Sequence, residues 1–99
     1  MATFITTIKF TEQGAQNIHE SPKRAAAFKS AAKKLGVKVT DIYWTLGSLD
    51  GVLIFDAPDD ETATAAVLHL SSQGNVQTKT ARAFSSSEFE KVIGLLAKK

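Results

Sequence analysis

Cysteine is absent from all 99 residues, which excludes disulfides, thiolate zinc sites and thiol nucleophiles together and suits a reducing compartment. A cytoplasmic protein is the expectation. No apolar run approaches the ~20 residues that a membrane-spanning helix needs, and Ala2, Thr3 and Phe4 follow Met1 where a leader would place basic and then apolar residues. Neither secretion nor membrane insertion is expected. The chain also lacks G-x-x-x-x-G-K-[ST], G-x-G-x-x-G and any recognisable serine or threonine nucleophile motif, so ATP, NAD and acyl-enzyme chemistry have no support. Histidine occurs twice, as His19 beside Glu20 and as His69. With no third ligand at metal spacing, a metal site within one chain is not expected, and a shared site would need ligands from two subunits; no cofactor is expected.

What remains is the composition of an ordinary globular domain, 43% hydrophobic and 22% charged. A chain of this length forms one domain over residues 1–99 and buries only about 60–70% of its unfolded surface, so association adds stability that a single core cannot. Residues 1–10 (MATFITTIKF) and 75–84 (NVQTKTARAF) read as strands with apolar groups on both faces. In the first, Phe4, Thr6, Ile8 and Phe10 fall on one side and Ile5, Thr7 and Lys9 on the other. After a polar connector, Ser21 as N-cap and Pro22 at the first helical position open a helix with the stripe Ala26, Ala27, Phe28, Ala31 and Leu35, ended by Gly36. Residues 37–46 and 52–55 read as strands joined by a turn over residues 47–51. Pro58, Asp59, Asp60 and Glu61 then start a helix running to about Gln73, with Ala63, Ala66, Val67 and Leu70 inward and Gly74 at its end. After the last strand, Ser85 and Glu88 form a capping box before the amphipathic set Phe89, Val92, Ile93 and Leu96.

The order βαββαβ plus a terminal helix predicts an α+β protein. Right-handed crossovers fold it as a ferredoxin-like four-stranded antiparallel sheet with both main helices on one face. The other face is left open and must carry several of Phe4, Ile8, Trp44 and Ile54 or their strand neighbours. A homodimer is therefore expected as the minimum unit.

Five segments in order, KFTEQG (9–14), SPKR (21–24), YWTLG (43–47), APDDE (57–61) and GNV-T-T-RAF (74–84), make the chain resemble the GYD domain family. The resemblance implies a dimeric α/β-barrel of ferredoxin-like protomers, often in higher assemblies, and a family without a defined biochemical role. Where the family usually reads Gly-Tyr-Asp, this chain has Ser48, Leu49 and Asp50 and keeps only the acid.

Six residues stand out as candidates for a ligand site: Lys9, Tyr43, Trp44, Asp50, His69 and Arg82. Tyr43 and Trp44 are adjacent on a strand and point to opposite faces, where one can line the helix-packed interior and the other the barrel. Asp50 has a plain role in a tight turn, since Asp hydrogen-bonds its own backbone there. The alternative is a pocket or intersubunit role. Arg82, on a half-buried strand face, calls for a carboxylate such as Asp50 or Asp56, or else joins Lys9 in holding an anionic group. His69 could serve as base, haem ligand or metal ligand, although a lone histidine is more often structural or merely exposed. Asp59, Asp60 and Glu61 are explained by the helix start. Lys23, Arg24, Lys29, Lys33, Lys34 and Lys38 give the first helix a basic outer face; they alternate with alanines and not with stacking aromatics, which argues against nucleic acid. The reading favoured is a homo-oligomeric module that binds a small apolar or aromatic molecule or serves assembly. The rival is a cofactor-free oxygenase or isomerase, or a haem-handling enzyme, with His69 or Tyr43 as its acid or base.

Overall fold

Phe4 and Thr6 are buried on one side of β1 (Ala2–Phe10), while Ile5 between them is 37% exposed, so the first strand already tells the covered face of the sheet from the open one. The computed structural model describes residues 1–97. In it β1 lies inside a four-stranded antiparallel sheet of order β2-β3-β1-β4, with β2 at Lys38–Trp44, β3 at Gly51–Ala57 and β4 at Val76–Ala83. Four helices, α1 (Glu12–Gln16), α2 (Ser21–Lys34), α3 (Asp60–Ser72) and α4 (Ser86–Ala97), complete the expected ferredoxin-like order. Short α1 and a 3₁₀ turn at Ile18–Glu20 occupy what reads in sequence as a polar connector.

The core lies between the sheet and the pair α2 and α3. Leu53 and Phe55 of β3 are fully buried, and Phe55 stacks on Phe4 with ring centroids 5.4 Å apart. Ala32 of α2 and Ala63 and Ala66 of α3 are buried against them; short side chains let both helices settle close to the sheet. Buried Thr6 shares a 2.8 Å hydrogen bond with Thr80 across the β1–β4 ladder, which offsets the cost of enclosing its hydroxyl.

Three expectations are corrected. Phe4, Ile8 and Trp44 do not face the open side: cross-strand pairing places them with Leu53 and Phe55 under the helices, and the open face carries Ile54 with Ile5, Val52 and Tyr43. Ser21 is not the cap of α2 but already has helical backbone, because the preceding 3₁₀ turn leads into the helix; Glu20 takes the cap position without a side-chain bond. The inward stripe of α2 is accordingly shifted to Ser21, Phe28 and Ala32, and Ala26, Ala27 and Leu35 are exposed. By contrast, Asp59 caps α3, accepting from the Thr62 amide at 2.7 Å. The capping box of α4 forms in both directions, with the Ser85 amide donating to Glu88 Oε1 at 2.8 Å and the Glu88 amide to Ser85 Oγ at 3.2 Å.

Having formed, α4 packs broadly against no other element among the described residues. Phe89, Ile93 and Leu96 remain 52%, 49% and 77% exposed. The Cα radius of gyration is 15.2 Å, against about 13 Å for a compact chain of this length.

Candidate functional site

At the end of the sheet where β1 and β2 finish and β3 begins, α2 and α3 stand apart over a cleft of about 360 Å³. Ile8, Ile42, Leu53 and Gly51 form its floor; Ala25 and Phe28 come from α2, Leu70 and His69 from α3, and Trp44 closes the β2 edge. Small residues create this space. Gly51 pairs with Ile8 and Trp44 in the middle of the floor, and a Cβ there would lie 3.0 Å from the Tyr43 carbonyl oxygen and 3.6 Å from Ile8 Cβ. The volume and apolar lining are those of a site for a small organic molecule.

Polar groups gather at the rim. Half-buried Arg24 donates from Nη2 to Ser21 Oγ at 3.2 Å and from Nη1 to the Asn17 carbonyl at 2.9 Å; Ser21 and Arg24 both line the cleft. Asp50 also lines it, but its carboxylate is committed: Oδ2 accepts from the Phe10 amide at 2.8 Å, while the Asp50 amide donates to the Ile8 carbonyl at 2.9 Å. Asp50 therefore ties the turn to the end of β1, 40 residues away, and does not merely serve its own turn. Asn75 completes the rim. Gln13 Nε2 donates to Asn75 Oδ1 at 3.1 Å, and the Thr11 amide to the Asn75 carbonyl at 3.1 Å, so the α1 segment holds the start of β4 in place.

Of the six sequence candidates, Trp44, Asp50 and His69 meet at the cleft. Tyr43 reaches its edge, but the Tyr43 hydroxyl donates to Asp41 at 3.3 Å. Strand pairing with Val52 and Ile54 places Tyr43 and Asp41 on the open face. Lys9 and Arg82 do not meet: Lys9 is on the open face opposite Gln77, and Arg82 is opposite Phe4 on the covered face. Neither Asp50 nor Asp56 pairs with Arg82. Its partner is Glu88, 3.3 Å away, and its guanidinium lies over the Phe84 ring at 4.5 Å. Asp56 instead accepts from the Thr3 hydroxyl at 2.6 Å. Hydrogen bonds from the Ser85 amide and Arg82 hold the Glu88 carboxyl below its usual range, and Thr62, through its hydroxyl and amide, does the same for Asp59. Among the described residues no group of three His, Asp or Glu side chains could hold a metal ion. No helix there is long and apolar enough to cross a membrane.

Arg24, Ser21 and Asn75 escaped sequence reasoning. Arg24 reads as part of the basic outer face when helical phase is set by Ala27 and Leu35. The shifted phase brings it inward, three residues after buried Ser21.

A family model described as GYD domain matches residues 4–93. The chain belongs to the GYD domain family. One relative in it is a protein of Thermus thermophilus named glutamine synthetase and cystathionine beta-lyase binding protein. It is 36% identical over 84 residues, which cover 84% of this chain and 88% of that one. Solved structures share the fold at lower identity. TTHA0845, also from Thermus thermophilus, aligns with a TM-score of 0.57 at 24% identity over 87% of this GYD chain and 96% of its own. MtbAldR gives 0.62 at 16% identity over 86% of this chain, which spans only 54% of that protein.

Proposed function

We propose that this GYD protein is a homo-oligomeric binding and assembly module, in which copies pair through the open sheet face to close an α/β-barrel and the oligomer engages protein partners. The observation that carries this reading is the open face itself, where Ile5, Val52, Ile54 and Tyr43 stand without cover. Its charges also suit a face-to-face pair: Lys9 and Lys79 lie on the β1–β4 side, and Asp41 and Asp56 with one cation, Lys38, on the β2–β3 side, so a two-fold arrangement can set a net positive half against a net negative one. A standard interface of ~800 Å² per partner, a little over half apolar, contributes roughly 20 kcal/mol gross. That exceeds the roughly 4–15 kcal/mol lost in rigid-body freedom.

The Thermus relative, by its name, binds two metabolic enzymes, and enzymes of that kind are the first partners to try with this chain. Biolayer interferometry of the purified protein against glutamine synthetase from the same host should show saturable binding; no binding at micromolar concentration would count against an enzyme partner. His69 lining the cleft favours a second reading, a cofactor-free barrel-type enzyme with His69 as its acid or base. Turnover of a small aromatic substrate, lost in His69→Ala, would support that alternative.

A further inference from the structure

The cleft between α2 and α3 combines an apolar floor with one cation at its mouth, and the cation has no counter-charge. Among the described residues the one salt bridge is Arg82–Glu88; Arg24 meets only the Asn17 carbonyl and the Ser21 hydroxyl, both neutral. A guanidinium carries five donors in a planar fork suited to a carboxylate, and two neutral acceptors leave that capacity open. Asp50, the one carboxylate that lines the cleft, makes no salt bridge with Arg24 and accepts from the Phe10 amide. The apolar side chains of Phe28, Ile42, Leu53 and Leu70 leave about 360 Å³ between them, room for a single ring with a short chain.

We infer that this cleft binds a small carboxylate with an aromatic or branched apolar body, the carboxylate on Arg24 and Ser21 and the body over Ile42 and Trp44. The inference goes beyond the assembly reading: the cleft lies on the covered side of the sheet, apart from the open face. Burial of the body supplies most of the affinity, and Arg24 supplies the discrimination for a negative charge, because the same body with a neutral head leaves the guanidinium without its partner. Arg82 and Lys9, the cations that the sequence brought forward for an anion, lie on opposite sheet faces and take no part.

Trp44, the single tryptophan, borders the cleft and reports on it. Its fluorescence would be followed while the whole protein is titrated with 3-phenylpropionate and, separately, with its neutral counterpart 3-phenylpropanamide. Saturable binding of the acid, roughly tenfold or more tighter than the amide, is the expected result, with Arg24→Gln removing that preference. Equal binding of acid and amide, or a preference that survives Arg24→Gln, would overturn the carboxylate assignment. Binding of neither compound at millimolar concentration would overturn the site altogether. Native mass spectra of the same samples separate the two proposals: a monomer that binds the acid contradicts assembly alone, and a dimer that binds neither compound contradicts the ligand alone.

Discussion

Asp50 shows how a single side chain can be legible in kind and misread in role. Its place in a Gly-flanked turn is plain from sequence, but the bond that matters runs from the Phe10 amide, and only the fold brings these residues together. Asp50→Ala removes the acceptor and leaves that part-buried amide unpaired, so a loss of about 1–3 kcal/mol in urea denaturation is expected; an unchanged midpoint would show that solvent replaces the carboxylate. Asp59 and Glu88 were legible in both kind and role, since capping depends on residues three apart and not on tertiary structure. Both carboxyls are held below their ordinary values by hydrogen bonds to the ionised form. Their contribution is present above the ordinary carboxylate range and is lost as pH falls through the lowered folded-state values. Carboxyl ¹³C titration should give midpoints below ordinary aspartate and glutamate values for these two groups, and Asp59→Asn with Glu88→Gln should flatten that part of the stability profile. Midpoints at ordinary values would contradict the capping geometry.

At the level of elements, strands and helices could be placed from periodicity and turn residues, because each signal is local. Which sheet face is covered could not. Both registers of β1 hold large apolar groups, Phe4 and Ile8 on one side and Ile5 on the other, and the choice is made by Phe55 and Leu53 in the neighbouring strand. The phase of α2 was lost for a related reason: alanines at 25, 26, 27, 31 and 32 give nearly every helix face an apolar residue, and only packing of Phe28 and Ala32 selects one. The motif segments 9–14 and 74–84 meet directly, and Gly14 is where they touch. A Cβ there would lie 2.0 Å from the Asn75 carbonyl oxygen. Gly14→Ala must push α1 away from the start of β4, and a cost of about 1–3 kcal/mol is expected, read as a lower denaturation midpoint with altered amide shifts at residues 73–76. Helix α4 is the reverse case, an element read correctly with no surface of its own subunit to cover it. Phe89→Ser with Ile93→Ser should leave the unfolding midpoint of the subunit body nearly unchanged, since neither side chain contributes to the core cluster; a large drop would mean that α4 folds back onto the body in solution.

For the molecule as a whole, the small core and the uncovered surface belong to one argument. Among the described residues, nine buried apolar side chains hold a four-stranded sheet on one side only, while the open face and α4 keep Ile5, Tyr43, Phe89 and Leu96 in water. Membership of the GYD family and the shared ferredoxin-like fold fix the protomer; pairing through the open face is the assembly proposed for it. The cleft under α2 and α3 is independent of that pairing, since it lies on the covered side of the sheet. The most direct measurement is native mass spectrometry of the wild-type protein beside Ile54→Asp, which puts a charge in the middle of the open face without touching the core. Wild type should appear at twice 10.6 kDa or a higher multiple, and Ile54→Asp should shift it to monomer with its circular dichroism intact. A wild-type monomer at micromolar concentration, or an Ile54→Asp oligomer indistinguishable from wild type, would contradict assembly through this face.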